Sequence, residues 1–442
     1  METHTAEEPL TQKRVLLTYL PLAAMWIMMG VEQPALTAVI ARLPDATVQL
    51  GAFGVTFALA LIVESPILQM LSAGTAMAKD HLHYVRLLRF MHMLAVGLSA
   101  IHIVLSLPPV YESLLRYVID VPEELIRPSR LAFTLMVPWA ATVGYRRLWQ
   151  GVLIRYGRAN VVPVTMIIRL VVTLGLLVLG FLTEYAGGAQ IAAVALIGGV
   201  VSGAVSSYVY ARPVIRSELS PGSPQKAISY RGLLRFYVPL GATSVIVLAS
   251  RPLLTFGIAR APEPVSSLAV WPVVMSFNFI LFSQALALQE AIIALLKTKD
   301  DFRVLKRFTL YLSLILGTIY VGFVLTPLRE LWFAGVVGLS ADLLGYVFVP
   351  TLLMALSPAI GTFVFFFRGV QVQQERTTSI TRGVVVNVVT LVIVLALGAT
   401  FAPFPGVITA AGAFVAALFL EVLYLRYYSN RTSLVLTEPH GR

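Results

Sequence analysis

Cysteine is absent from this 442-residue chain. That excludes a disulfide framework, a thiolate metal site and a cysteine nucleophile. Charge is almost as scarce: Asp, Glu, Lys and Arg make up 12% of residues, against about 25% in an ordinary soluble domain. So little charge cannot solvate a globule of this length, which excludes a soluble enzyme, while the surplus of apolar residues excludes a disordered scaffold. The nucleotide-binding G-x-x-x-x-G-K-[ST], the zinc-protease H-E-x-x-H, the hydrolase G-x-S-x-G and the paired acidic motif of prenyl transferases are all missing, so no catalytic residue, metal or organic cofactor is expected.

What the chain has is apolar length: 58% of its residues are hydrophobic. A helix crossing a bilayer needs roughly 20 such residues, so twelve spans would use about 240. Apolar stretches bounded by charge, proline or glycine fall at 16–41, 50–78, 87–107, 128–153, 160–182, 190–211, 232–259, 266–296, 307–326, 343–371, 379–401 and 405–427. These runs are continuous and too long for the ten-residue alternating strands of a membrane barrel. The expected class is an all-α polytopic membrane protein whose principal partner is the lipid bilayer.

The formal charge of +11 invites a nucleic-acid reading, but in a membrane protein the location of charge matters more than its sum. With the N-terminus placed in the cytoplasm, 25 basic residues fall on the inner side, Arg146 and Arg147 among them, and six fall outside: Arg42, Arg116, Arg127, Arg130, Arg260 and Arg329. The asymmetry puts both termini in the cytoplasm of a multi-pass plasma (inner) membrane protein, accounts for most of the +11 as topology and leaves no case for nucleic acid. Three glutamates precede the first basic residue, a poor start for a signal peptide.

An internal repeat organises the chain. Residues 19–44 (YLPLAAMWIMMGVEQPALTAVIARLP) align without a gap to 237–262 (YVPLGATSVIVLASRPLLTFGIARAP), with 11 of 26 positions identical and an offset of 218. The same offset relates Lys79 to Lys297, Arg89 to Arg307, Pro109 to Pro327, Glu112 to Glu330 and Gly151 to Gly369. Six helices per repeat is an even number, so both halves point the same way, related by an axis along the membrane normal. The expected organisation is an inner tail (1–15), an N-lobe (16–211), a linker rich in Ser, Pro, Gly and charge (212–231), a C-lobe (232–427) and a second inner tail (428–442). Because helix 1 has a twin in mid-chain, it reads as structural.

Charge at bilayer depth is costly and marks function. Six ionisable residues fall within the spans and away from the loop clusters: Glu32, Glu64, Arg169, Arg251, Glu290 and Glu421. Glu290 and Glu421 lie close enough to inner charges to reach the interface. Glu32 aligns with Ser250 and Gln33 with Arg251, each just before a proline, Pro34 or Pro252. Proline bends a helix and frees a carbonyl, and broken helices lining a cleft bind substrate and ions in transporters. The expectation is that Glu32 and Arg251 face each other across the cleft, as a gate that releases Arg251 to an anion or as a static lock between lobes. Glu64, near mid-membrane, is the candidate for coupling to a proton or sodium ion. Arg169 either binds an anion or pairs with Glu421. The four central charges, Glu32, Glu64, Arg169 and Arg251, cancel, so they do not set the sign of a substrate. Asp80, His81 and His83 read as a solvated loop, and Gly198, Gly199 and Gly203 as sites of close helix packing.

Two tandem six-helix lobes with proline-bearing helices 1 and 7 resemble the multidrug/oligosaccharidyl-lipid/polysaccharide (MATE-like) flippase superfamily. Within it the chain is similar to the progressive ankylosis family through Pro21-Leu22, Gly30 and Glu32-Gln33 in helix 1. In helix 7 the likeness lies in Pro239-Leu240, Ser250-Arg251-Pro252-Leu253 and Ile258-Ala259-Arg260. The resemblance implies an exporter of a small polyanion such as citrate, nucleotide or pyrophosphate, working by alternating access. It also implies Glu32, Gln33, Arg251 and Arg260 as cleft residues. No obligate protein partner is evident in the sequence. A proton- or sodium-coupled multidrug exporter and a lipid-linked saccharide flippase are the alternatives, with a membrane enzyme or scaffold more distant.

Overall fold

In the computed structural model, residues 9–219, 221, 229–248, 250–374 and 377–431 are described. The expected tails and linker lie partly outside these residues. Among those described the chain is helical, with no strand. We number the principal helices α1 (Gln12–Ile40), α2 (Ala46–Met77), α3 (His81–Ser106), α4 (Trp139–Arg155), α5 (Val162–Thr183) and α6 (Gly188–Ser217) in the N-terminal half. The C-terminal half holds α7 (Tyr230–Leu248 and Ser250–Ala259), α8 (Pro264–Leu295), α9 (Lys299–Leu325), α10 (Leu356–Gln373), α11 (Thr377–Phe401) and α12 (Gly406–Arg431). Nine helices among the described residues are long and apolar enough to cross a membrane. The chain is a multi-pass helical membrane protein.

Boundaries depart from expectation where proline or a tight turn intervenes. The expected span 128–153 is two helices, Glu123–Leu135 and α4. Pro138 has no N–H to donate and restricts the residue before it, so the chain turns there. The expected 343–371 divides into Ala341–Leu344, Phe348–Met354 and α10. In α2 the ladder tightens to a 3₁₀ turn at Ser65–Gln69, around Pro66. By contrast α1 runs unbroken through Pro21 and Pro34, with the Thr37 hydroxyl donating to the Pro34 carbonyl at 3.0 Å. The α6 helix continues to Ser217, six residues into the expected linker.

The repeat reaches details of backbone conformation. Asp80 caps α3 and Thr298, its counterpart, caps α9, each accepting from a backbone N–H three residues on. Asp45 and Glu263 both sit at positive φ (55° and 53°) before α2 and α8. Asp120 and Gly338, again counterparts, take the left-handed conformation that ends the π-helices Leu114–Ile119 and Leu331–Val337.

Burial follows the same symmetry. The most apolar windows of α2 and α8 are each 61% buried, whereas those of α5 and α11 are 17% and 22% buried. The former pair is therefore at the junction of the halves and the latter at the lipid-facing periphery. Where α4 crosses α2, Gly151 stands against Gly74; a Cβ on Gly151 would lie 2.6 Å from the Leu71 carbonyl oxygen. The equivalent crossing of α10 on α8 sets Gly369 against Ile292, where a Cβ would find 3.1 Å. Backbone cannot yield as a side chain can, and overpacking costs about 1–3 kcal/mol. Gly151→Ala should therefore lower the thermal unfolding midpoint in detergent clearly more than Gly369→Ala does.

Candidate functional site

A cavity of about 310 Å³ lies between the halves. Its polar wall comes from the N-terminal half and comprises Glu32 on α1, Glu64 on α2, Arg146 and Arg147 on α4, and Arg169 on α5. The facing wall carries Thr255 of α7 and Trp271, Pro272, Met275 and Ser276 of α8, and is mostly apolar.

Each carboxylate already has partners. The Arg169 guanidinium pairs with Glu32 through a short contact of Nη2 with Oε2, and Thr173, one turn along α5, donates to Glu32 Oε1 at 3.0 Å. The indole Nε1 of Trp139, the first residue of α4, donates to Glu64. The expected pairing of Glu32 with Arg251 falls on a side chain that lies outside the described residues; among the described residues Glu32 is held within its own half. The alternative pairing of Arg169 with Glu421 is corrected. Glu421 is fully buried on α12, where it accepts from Arg368 of α10 and, at 3.0 Å, from Asn387 of α11. Glu290 accepts from Trp26 Nε1 at 3.3 Å.

The arginines that sequence reasoning misses are Arg146 and Arg147. Sequence pattern groups them with the inner loop charges, yet they precede the end of α4 by nine and eight residues, which at 1.5 Å per residue is about 12–14 Å of depth. Gly203 on α6 makes room: a Cβ there would fall 3.2 Å from Arg146 Cδ and 3.4 Å from Arg169 Cβ. Neither Arg146 nor Arg147 pairs with a carboxylate among the described residues. Arg146 reaches only the Met166 sulfur, at 3.0 Å, and the buried Nε atoms of both lack a hydrogen-bond partner. Three guanidinium groups against two carboxylates leave one positive charge in excess among the described residues; Arg169 Nε also lacks a partner, but Arg146 and Arg147 are the two that make no carboxylate contact.

The repeat supplies an internal control. At the positions equivalent to Glu64, Arg146 and Arg147, the C-terminal half carries Phe282, Val364 and Phe365. The equivalents of Glu32, Trp139 and Arg169 are Ser250, Ser357 and Asn387. The same scaffold thus forms with apolar or neutral residues at these points, so folding alone does not require the charges.

Arg260 is not a cleft residue, contrary to expectation. It lies at the end of the bundle opposite Gln12 and Arg431, the end expected from the charge count to be the outer one, and donates to the carbonyls of Val118 (2.9 Å) and Ile119 (3.3 Å), with its guanidinium over the Phe256 ring. Its counterpart Arg42 donates across to Val337 (2.7 Å) and Gly335 (2.6 Å) in the other half. Val337 and Ile119 are themselves repeat partners, so the two arginines form a reciprocal clasp. A Cβ on Gly338 would lie 3.0 Å from the Arg42 guanidinium carbon, which gives glycine there a steric as well as a conformational reason. Inward of the cavity the halves meet again, Tyr237 donating to Pro66 O at 2.8 Å and Gln69 to Ser244 Oγ at 2.7 Å.

No family model matches the chain, and no curated sequence matches it. Solved structures match over nearly the full length. A multidrug resistance MATE family transporter of the MOP superfamily, in its inward-facing conformation, is similar with a TM-score of 0.64 at 15% identity, over 97% of this chain and 98% of that one. A MOP superfamily transporter from Pyrococcus furiosus is similar with a TM-score of 0.65 at 15% identity, over 98% of this chain and 100% of that one. The lipid II flippase MurJ, inward closed, gives 0.66 at 12% identity, over 93% and 88%. The fold is the MATE-like one expected from two tandem six-helix halves. At these identities the likeness is one of fold, and the finer likeness to progressive ankylosis proteins rests on the residues of α1 and α7 alone.

Removing one member of a buried ion pair leaves the other uncompensated, at a cost of about 3–5 kcal/mol. Glu32→Gln and Arg169→Gln should each destabilise the detergent-solubilised protein by an amount of that order, and the double variant should recover much of the loss in a double-mutant cycle. Since the chain has no native cysteine, Ser276→Cys offers one labelling site in the cavity. Combining it with Arg42→Ala and Arg260→Ala should raise its rate of alkylation several-fold over the intact clasp.

Proposed function

We propose that this protein is a secondary transporter that carries a small organic anion by alternating access, with Arg146 and Arg147 as the principal anion ligands. The carrying observation is a pair of guanidinium groups at membrane depth that face a cavity with no carboxylate partner, at positions where the repeated half has valine and phenylalanine. Such charge is expensive to bury and is offset when an oxyanion supplies charge-assisted hydrogen bonds, bidentate in the case of arginine. A carboxylate- or phosphate-bearing solute of the size of citrate, a nucleotide or pyrophosphate suits this chemistry, and the resemblance to progressive ankylosis proteins points the same way. One solved transporter of this fold is described as having a binding pocket of reverse polarity that suggests a different function.

In this reading Arg169 and Glu32 form the adjustable part of the site. An anion entering beside Arg146 competes with Glu32 for Arg169, loosening the tie between α1 and α5. Gln33, next to Glu32 in the cavity wall, supplies an uncharged donor. Glu64, tied to Trp139, is the group through which a proton, or less directly a sodium ion, would couple. The Arg42–Arg260 clasp closes the outer end, and its release opens the cavity to that side. The excess of basic residues at the inner end supports an orientation with that end and both termini in the cytoplasm, across the plasma (inner) membrane; transport in that orientation is export. A multidrug exporter of cations fits less well, because both cavity carboxylates are already engaged.

Protein reconstituted in liposomes loaded with citrate, a nucleoside triphosphate or pyrophosphate should release at least one of these faster than empty liposomes do. A hydrogen bond to a charged group contributes about 1.5–3 kcal/mol, so Arg146→Gln or Arg147→Gln should slow release by about tenfold or more. Arg303→Gln, at an exposed pair with Asp300, should leave it unchanged. Release of organic cations that persists in Arg147→Gln protein would refute the reading.

A further inference from the structure

Two concave grooves lie near the inner end of the bundle, one in each half and both away from the central cavity. The larger, about 700 Å³, is bounded by α9, α10 and α12 and contains Phe302, Phe363 and Phe367 together with Lys306 and Arg426. The smaller, about 440 Å³, is bounded by α3, α4 and α6 and contains Tyr84, Tyr145 and Trp149 together with Arg212 and Arg216. The offset of 218 superposes them: Tyr84 on Phe302, Tyr145 on Phe363 and Trp149 on Phe367. The fold therefore builds the same aromatic concavity twice.

The cations do not follow that symmetry. Lys306 corresponds to Leu88 and Arg426 to Tyr208, while Arg212 and Arg216 lie one turn apart towards the end of α6. Each half thus provides two positive charges to its groove from different positions. None of the four cations has an ion-pair partner among the described residues; the nearby Glu218 is taken by Arg158 at 3.1 Å. All four are exposed, as are the apolar rim residues Phe419 and Leu423 on one side and Tyr208 on the other. Each groove is therefore open laterally, towards the acyl chains.

We propose that both grooves are binding sites for an anionic phospholipid, one per half. Its acyl chain lies along the aromatic wall and its phosphate sits between Lys306 and Arg426, or between Arg212 and Arg216. Three features meet at one place: an apolar cleft between membrane helices, aromatic side chains of the kind that gather at membrane interfaces, and two cations without ion-pair partners among the described residues. Basic pockets between membrane helices on the cytoplasmic side recognise anionic headgroups in this way, and each cation near the surface attracts anionic lipid. A soluble phosphate would satisfy the cations but would leave the aromatic cleft unfilled. The proposal does not depend on the transported substrate.

The purified full-length protein, delipidated in neutral detergent, can be titrated by native mass spectrometry with phosphatidylglycerol and with phosphatidylcholine of identical acyl chains. Wild type should retain two phosphatidylglycerol molecules with a preference over phosphatidylcholine of about tenfold or more. K306Q/R426Q and R212Q/R216Q should each retain one preferred lipid, and the fourfold variant none, with unchanged elution profiles and lipid-free unfolding midpoints. Equal retention of the two lipids, preference unaltered in the fourfold variant, or displacement of phosphatidylglycerol by millimolar inorganic phosphate would each overturn the proposal.

Discussion

The pairing of Glu32 with Arg169 is the constraint on which the rest of the site depends. An isolated charge at bilayer depth is expensive, and two more arginines beside it would be more so. By binding Arg169 on one side and accepting from Thr173 on the other, Glu32 supplies the first of the two negative charges that bring the cluster to within one positive charge of balance. Glu64, fixed by Trp139, supplies the second negative charge. What is left over is concentrated at Arg146 and Arg147, where an incoming anion would complete the balance. Ground-state cost and ligand affinity thus have the same physical origin.

The repeated halves separate what the fold needs from what the site needs. Helix caps, left-handed turns, the glycine crossing and the outer clasp occur in both halves at the same offset, with residues as different as Asp80 and Thr298 doing the same work. These features stabilise two similar bundles. Among the described residues the charges around the central cavity occur in one half only, and Phe282, Val364 and Phe365 show that the other half folds without them at those positions. The C-terminal half has a polar network of its own, Arg368, Glu421 and Asn387, in which the carboxylate is satisfied. Asymmetry imposed on a symmetric scaffold is the mark of the binding wall.

Access to that wall is governed at two levels. At the outer end, Arg42 and Arg260 each reach carbonyls of a π-helix in the opposite half, so two equivalent contacts hold that end shut. Toward the inner end, Tyr237 and Gln69 bridge α2 and α7 with single hydrogen bonds. The halves meet through the apolar packing of α1 and α2 on α8 as well as through these polar ties, so relative motion of the halves requires that packing to rearrange. The aromatic grooves lie outside that junction, on the flanks of each half, and so are able to hold lipid without obstructing the motion.

Composition and the repeat made the membrane class, the tandem arrangement and the approximate helices legible, because apolar length and a constant offset are properties of the chain itself. Glu32, Gln33, Glu64 and Arg169 were also legible as cavity residues, since an ionisable or amide group deep in an apolar run is too costly to face lipid and must line a polar interior. Arg146 and Arg147 were not: the expected span 128–153 contains them, but Arg155 and Arg158 follow so closely that all four group with the inner charges. The count of basic residues places Arg260, like Arg42, at a helix end, and only the family resemblance, which does not carry depth, puts it in the cleft. Ion-pair partners were not legible at all. Charge and spacing alone determined that sparse ionisable groups sit within an apolar bundle. Which of them meet was decided by the tertiary structure, because contacts between helices far apart in sequence depend on helix rotation and crossing, which the order of residues along one helix does not specify.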